Sequence, residues 1–216
     1  MTDDADTLPA ALARHMVELP DDQIAALQRY CAALWEWNAK LNLTRHADYE
    51  KIVSRDVVDA LALEKLLEPG ERILDVGTGG GMPGVILAIL RPDLHVELCD
   101  SVGKKAKAVQ AIVAQIQMDI PVHAAAAQTL LDGARFDTLV VRAVAPLAKL
   151  LTWFQPHWCE FQRLLIIKGP AWVEERHAAR ERGLMRGLQL RKLDSYPLFG
   201  TESESVVLEI RPTEGV

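Results

Sequence analysis

The sequence predicts an α/β fold: a mostly parallel seven-stranded sheet with an antiparallel C-terminal hairpin, preceded by an α-helical N-terminal section. Three observations carry this. Apolar residues recur at helical spacing through residues 10–67, with no strand pattern before residue 71. After Pro69-Gly70 short β-branched runs alternate with helical ones, which implies right-handed βαβ crossovers. An apolar strand then runs directly into a glycine-rich loop and a helix, the arrangement that places ligands at the carboxyl edge of an open parallel sheet. The chain has 216 residues, of which 50% are hydrophobic and 25% charged, enough to bury a core and too apolar for a disordered or collagen-like protein.

In order, Ile24, Leu27, Cys31, Leu34 and Leu41 lie on one helical face, and Asp21 or Asp22 is placed to cap that helix after Pro20. Ile52 to Leu67 is a second amphipathic stretch with Val53, Val57, Ala60, Leu61 and Leu67 on one side. Arg72–Val76 and Leu94–Cys99 read as strands around a helix over Pro83–Leu90, and Lys104–Gln117 is helical. A strand near Ile120–His123, a short helix near Gln128, a strand at Asp137–Val141, a helix at Leu147–Trp153 and a strand at Arg163–Ile167 follow. Leu188–Leu193 and Ser205–Ile210, with no convincing helix between them, suggest a closing antiparallel hairpin. Two parts are expected: residues 1–68 as a helical section packed on the core, and 69–216 as the ligand-binding domain, together one structural unit.

No apolar run reaches about 18 residues, and the start, MTDDADTLPA, is acidic where a signal peptide is basic and then apolar. A soluble, cytoplasmic protein is expected. Cys31, Cys99 and Cys159 lack CxxC spacing or a nearby His pair, which supports buried thiols rather than a disulfide framework or a metal site. The net charge of −6 argues mildly against nucleic acid, but the average hides an asymmetry. Phe161 to Leu193 holds eight basic residues (Arg163, Lys168, Arg176, Arg180, Arg182, Arg186, Arg191, Lys192) against three acidic ones, a local +5. That cluster is read as a phosphate-facing edge.

The most informative stretch is Ile73 to Gly84, with five glycines between positions 77 and 84. Glycine permits positive φ and close backbone approach to a ligand, and Pro83 suits the start of the next helix. Gly79-x-Gly81-x-x-Gly84 matches the dinucleotide fingerprint, and Asp100, 21 residues after Gly79, is placed to bond ribose hydroxyls. The same layout serves S-adenosylmethionine. Asp75 favours the latter, because a carboxylate in the loop's first turn repels a pyrophosphate and attracts a cationic amine or sulfonium.

Several further motifs stand in this order: Trp37-Asn38-x-x-Leu41-Asn42-Leu43-Thr44, Arg55-Asp56-x-x-Asp59, the loop DVGTGGGMPG, Asp100-Ser101-x-Gly103-Lys104-Lys105, Arg142-Ala143 and Lys168-Gly169. With them the chain resembles, over nearly its whole length, the glucose-inhibited division protein B family of bacterial 16S rRNA guanine-N7 methyltransferases. The resemblance implies a Rossmann-like class I methyltransferase using S-adenosylmethionine and no metal. It implies that Gly77 and Met82 line the donor site, that Ala127 and Gln128 contact its adenine, and that Arg142 lies where donor and RNA meet. The family has an Arg-x-Glu pattern where this chain has Ala126-Ala127-Gln128, so Gln128 would accept from the adenine amino group through its carbonyl oxygen and Ala127 would offer only backbone.

The candidate cofactor-binding residues are therefore Asp75, Gly77, Gly79, Gly81, Met82, Asp100, Ser101, Ala127, Gln128 and Arg142, and the candidate catalytic residues Arg142, Lys168 and Asn42. Guanine N7 carries a lone pair and no proton, so its methylation needs positioning and water exclusion rather than a general base. Arg142 and Lys168, at the ends of neighbouring strands, suit guanine or phosphate oxygens. Asn42 reaches the base or the pocket from the helical preface, or simply ends a helix. Arg55 and Asp59, as i, i+4 neighbours, either pair with each other or serve the site. Lys104, Lys105 and Lys107 either track phosphates or form a solvated face, and the five tryptophans are expected mostly as packing. The expected partner is 16S rRNA or the small ribosomal subunit, with no DNA, no membrane and a monomeric chain. The alternatives are a methyltransferase with a non-RNA substrate, a nicotinamide-dependent oxidoreductase and a nonenzymatic RNA-binding protein.

Overall fold

The computed structural model describes residues 6–213. The first five residues of the acidic start lie outside them. Helices α1 (Leu8–Arg14), α2 (Asp21–Leu41), α3 (Tyr49–Lys51), a π-helical turn (Ile52–Val57) and α4 (Val58–Glu64) precede the sheet. Strands β1 (Arg72–Val76), β2 (His95–Cys99), β3 (Val122–His123), β4 (Phe136–Arg142), β5 (Phe161–Lys168), β6 (Leu188–Pro197) and β7 (Glu204–Pro212) form one sheet in the order β3-β2-β1-β4-β5-β7-β6. Between them lie α5 (Gly84–Leu90), α6 (Gly103–Gln115), α7 (Ala127–Leu131), α8 (Leu147–Phe154) and α9 (Trp172–Glu181).

β1, β2, β3, β4 and β5 pair in parallel. β7 runs antiparallel to both β5 and β6, so the hairpin doubles back and only β7 opposes the common direction. Both faces of the central strands are buried, because period-two alternation sends neighbouring residues to opposite sides. Ile73, Val140, Leu165 and Val207 face one core, shared with Leu27, Cys31 and Leu34 of α2 and with α5 and α6. Leu74, Leu139, Val141, Leu164, Ile166 and Leu208 face the other, under α8 and Ala179 of α9. The helical N-terminal section thus supplies cover that a doubly wound sheet needs on one face.

Four readings change. Pro20, not an aspartate, is the N-cap of α2; Asp21 and Asp22 sit in its first turn, where their charge complements the helix dipole. Helix α9 is an element the sequence pattern does not mark, because its mixed charge and thin apolar stripe hide the period and only Ala179 is fully buried. Cys31 and Cys99 are buried as expected, but Cys159 is exposed. The fourth concerns the basic segment. β5 carries the chain to its carboxyl edge at Lys168, α9 returns it, and Leu188 at the start of β6 pairs with Pro212, at the opposite edge. Arg182 and Arg186 lie in that return turn just before Leu188, whose level along β7 is six residues from that of Lys168, about 20 Å at roughly 3.3 Å per strand residue. The +5 segment therefore spans both ends of the sheet and is not one phosphate-facing edge. No helix among the described residues is long and apolar enough to cross a membrane.

Candidate functional site

Strand order reverses between β2-β1 and β4-β5, so the crevice at the carboxyl ends of β1 and β4 is the expected ligand position. The glycine loop occupies it. Gly77, Gly79 and Gly81 all have positive φ, at 70°, 60° and 106°, which side-chain-bearing residues rarely adopt. The Gly77 and Thr78 amides both donate to the Cys99 carbonyl at 2.9 and 3.0 Å, tying the loop to the end of β2. From above, the Tyr30 hydroxyl of α2 donates to the Gly80 carbonyl at 3.0 Å.

Asp75 braces this loop from beneath. Its Oδ2 accepts the Thr78 hydroxyl at 2.6 Å and the Gly84 amide, at the start of α5, at 2.9 Å. Its Oδ1 is buried and has no partner. Burial pushes the carboxyl up to about 6, against the pull of the Thr78 and Gly84 hydrogen bonds. The carboxylate read as attracting a cationic donor therefore has one oxygen committed to the loop and one remaining. A folded-state value above the unfolded one near 3.9 means that the native state holds this proton more tightly. The stabilising contribution is complete below pH 4 and lost as pH rises through about 6. Relative to Asp75→Asn, the native protein should lose roughly 3 kcal/mol between these limits, at 1.36 kcal/mol per unit. Urea unfolding of both proteins at pH 4 and 6.5 checks this, and parallel profiles would refute it.

Asp100 ends β2 as expected. Its Oδ2 accepts the Gly79 amide at 3.1 Å and its Oδ1 the Val102 amide at 2.8 Å, which leaves lone pairs for ligand hydroxyls. Ser101 beside it is exposed, Met82 and Ala127 are buried, and Gln128 is half-buried on the first turn of α7. The β4–α8 loop joins the two halves of the site. A Cβ on Gly77 would stand 2.7 Å from Val144 Cγ2, so this loop lies directly on the glycine loop. Ala143, between Val144 and Arg142, has φ 55°, a strained value for alanine.

Arg142 lies at the centre of a network that the sequence does not announce. Its Nη1 donates to Asp56 Oδ1 at 2.6 Å and to Asp59 Oδ2 at 2.9 Å. His46 Nδ1 lies 2.7 Å from the other Asp56 oxygen, and the Tyr196 hydroxyl donates to the other Asp59 oxygen at 2.6 Å. Four segments thus converge on one guanidinium. Burial opposes its charge, but the two carboxylates outweigh that and hold it protonated. Asp59 is taken by Arg142 and Tyr196, so of the two alternatives for Arg55 and Asp59 the mutual pair is not the one formed. Lys168 is likewise engaged: its Nζ donates to the Ala145 carbonyl at 2.7 Å and lies 2.7 Å from Glu175 Oε2, which also accepts the Leu147 amide.

Asn42 is the C-cap of α2, with φ 27°, and is exposed, so the helix-ending alternative is the one observed. The side chain that organises this corner is Asn38, whose Oδ1 accepts the Leu43 and Thr44 amides at 2.6 and 2.9 Å. Arg142, Lys168, Arg55 and His46 line a cleft of about 720 Å³ at the carboxyl edge, whose walls also include Glu175, Leu198 and Ser205. It adjoins the glycine loop through the Ala143–Ala145 wall. Lys104 and Lys107 are exposed on α6, and Trp35, Trp153, Trp158 and Trp172 pack against the two cores.

A family model described as "GidB: rRNA small subunit methyltransferase G" matches residues 23–202. The chain belongs to the GidB family. A GidB relative, "Ribosomal RNA small subunit methyltransferase G" of Rhodopirellula baltica, is 47% identical over 194 residues, covering 90% of this chain and 84% of the relative. Among solved structures, a methyltransferase from Pyrococcus furiosus aligns with TM-score 0.56 at 11% identity, over 87% of this chain and 98% of that one. The M. capricolum TrmK structure, solved with S-adenosylhomocysteine, aligns with TM-score 0.55 at 12% identity, over 72% and 68%. At such identities the structures show the fold, which is that of class I methyltransferases. The matched region, residues 23–202, includes both the glycine loop and the Arg142 network.

Proposed function

We propose that this chain transfers a methyl group from S-adenosylmethionine to N7 of a guanosine in 16S rRNA, acting in the cytoplasm on RNA or the small subunit. The observation that carries this reading is the shared wall of the site. Val144 touches the glycine loop, and Arg142, two residues earlier, lines the cleft, so a donor over the glycine loop and a base in the cleft would come into contact at the edge of this short loop, with the methyl in line between sulfur and N7. Gly77, Gly79 and Gly81 offer backbone for close approach, Asp100 offers acceptors for ribose hydroxyls, and Ala127 and Gln128 form the adenine end. The unpaired buried oxygen of Asp75 and the positive-φ glycines fit a cationic ligand better than a pyrophosphate. Bound there, S-adenosylmethionine supplies an electrophilic methyl group.

The protein's own work is then positioning. N7 carries a lone pair and no proton, so the transfer needs no general base. Arg142 is held rigidly by Asp56 and Asp59, and such preorganised donors act without reorganisation cost. Lys168, locked between Ala145 and Glu175, braces the same wall rather than offering a free charge.

The test is methyl transfer to small subunits and to naked 16S rRNA from a strain lacking the corresponding gene, with mass-spectrometric mapping of the product. One 7-methylguanosine is expected, and no incorporation into either substrate overturns the reading. Melting gives a cheaper check. S-adenosylhomocysteine at 100 times its Kd should add about 2.7 kcal/mol of stability and NAD none. The reverse pattern would favour an oxidoreductase.

A further inference from the structure

The cleft contains more positive residues than positive charge. Arg142 is neutralised by Asp56 and Asp59, Lys168 by Glu175, and His46 stands against the second oxygen of Asp56. A cation already facing a carboxylate at 2.6–2.9 Å has little left for a phosphate. Arg55 is different. It lines the same cleft, it is half-buried, and among the described residues no carboxylate lies within ion-pair distance of its guanidinium. Asp59, one helical turn on, has both oxygens occupied by Arg142 and Tyr196. Asp56, its chain neighbour, has both occupied by Arg142 and His46.

The backbone also favours this arrangement. Arg55 lies in the π-helical turn Ile52–Val57, a local irregularity that is rare and frequent at functional sites. In that turn Asp56 is wholly buried toward Arg142, while Arg55 remains at the cleft wall. The consecutive pair is thereby divided, one side chain holding Arg142 and the other facing the open volume. An arginine with no carboxylate partner, at the wall of an open cleft, is suited to phosphate oxygens, which its planar fork meets in bidentate geometry.

We propose that Arg55 is the phosphate anchor of the cleft, binding a backbone phosphate of the RNA strand whose base enters beside Arg142. This rests on the RNA reading above and departs from the expectation that Arg142 and Lys168 supply the phosphate contacts. Arg55 acts in substrate binding, so its removal should fall on KM for RNA, with the donor site untouched.

The experiment compares the full chain with Arg55→Ala and Arg55→Lys on small subunits lacking the modification, across a salt series. Arg55→Ala should raise KM at least tenfold and make the slope of log(kcat/KM) against log[salt] less negative by about 0.7, the value for one single-strand phosphate contact. Arg55→Lys should restore the salt slope but only part of the KM. S-adenosylhomocysteine affinity should stay within twofold in both, which also reports an intact fold. An unchanged KM and slope in Arg55→Ala overturns the proposal, and so does a loss carried by kcat alone. If Arg55→Ala fails to bind S-adenosylhomocysteine, Arg55→Lys decides: a normal slope with reduced KM effect supports the anchor, and a wild-type KM refutes it. Absence of methyl transfer by the unaltered chain overturns the RNA reading and this proposal with it. Transfer by the unaltered chain with an indifferent Arg55 overturns this proposal alone.

Discussion

Arg142→Ala should lower kcat/KM for RNA by about 10²–10³, the range seen when one preorganised donor is removed from a site. It should also destabilise the protein, for a separate reason. Asp56 is fully buried and Asp59 nearly so, and Arg142 is the cation that both face. Breaking a buried pair from one side costs about 3–5 kcal/mol, because the remaining charge is left uncompensated. That cost should grow with pH. Without the guanidinium, burial pushes the Asp59 carboxyl further up, so the variant is least impaired where that group is protonated and loses stability as pH rises through its folded value. Asp59 already sits above the usual carboxylate range through burial, even with Arg142 and Tyr196 holding it down. Adding Asp56→Asn and Asp59→Asn to Arg142→Ala removes the stranded charges. The triple variant should recover stability while turnover stays low. Urea unfolding and single-turnover methylation measured on the same preparations separate the two effects. Turnover that recovers along with stability would make Arg142 a folding residue only.

Gly84→Ala should be the most damaging single methyl group added to the loop. The new Cβ would stand 2.2 Å from Leu98 Cδ2 and 2.8 Å from Asp75 Oδ2. Neither neighbour has room to retreat: Leu98 is fully buried in β2, and Asp75 is fixed by Thr78 and by the Gly84 amide itself. Overpacking of this kind costs about 1–3 kcal/mol. Displacing the carboxylate also breaks hydrogen bonds to a charged group, at about 1.5–3 kcal/mol each. A total on the order of 4 kcal/mol is a large part of the 5–15 kcal/mol that holds a typical domain together. Gly103→Ala provides the control, since a Cβ there meets nothing within 4 Å and φ is not positive. It should fall within about 0.5 kcal/mol of the native protein. Equal midpoints for the two variants in urea would show that the close contact at Gly84 relaxes freely. Loss of S-adenosylhomocysteine binding should accompany the Gly84 change, because the brace under the loop moves with it.

These expectations draw on different parts of the molecule, and the parts differ in how legible they were. The sheet was readable because its strands carry continuous apolar runs and its turns carry glycine and proline, signals that depend only on neighbours in sequence. The glycine loop, with Asp75 and Asp100 around it, was readable for the same reason: unusual backbone conformations demand unusual residues at fixed spacing. Helix α9 escaped because a helix covering a sheet edge needs only a thin apolar stripe, here centred on Ala179.

The charges were the least legible part. Local spacing allows an Arg55–Asp59 pair, and the sequence separation between Arg142 and its two carboxylates, 86 and 83 residues, gives no reason to prefer another. Which carboxylate meets which cation depends on the fold bringing the π-helical turn against the end of β4, and on Tyr196 arriving from the closing hairpin. The same holds for the +5 segment, whose members fall at opposite ends of the sheet once α9 has turned the chain around. Backbone architecture and the glycine cradle follow from local chemistry, so the sequence by itself determined them. Ion pairing is a contest among all the charges that folding brings within a few ångströms, and only the tertiary structure decided that Arg142 and Lys168 are spent on carboxylates while Arg55 is left facing the cleft.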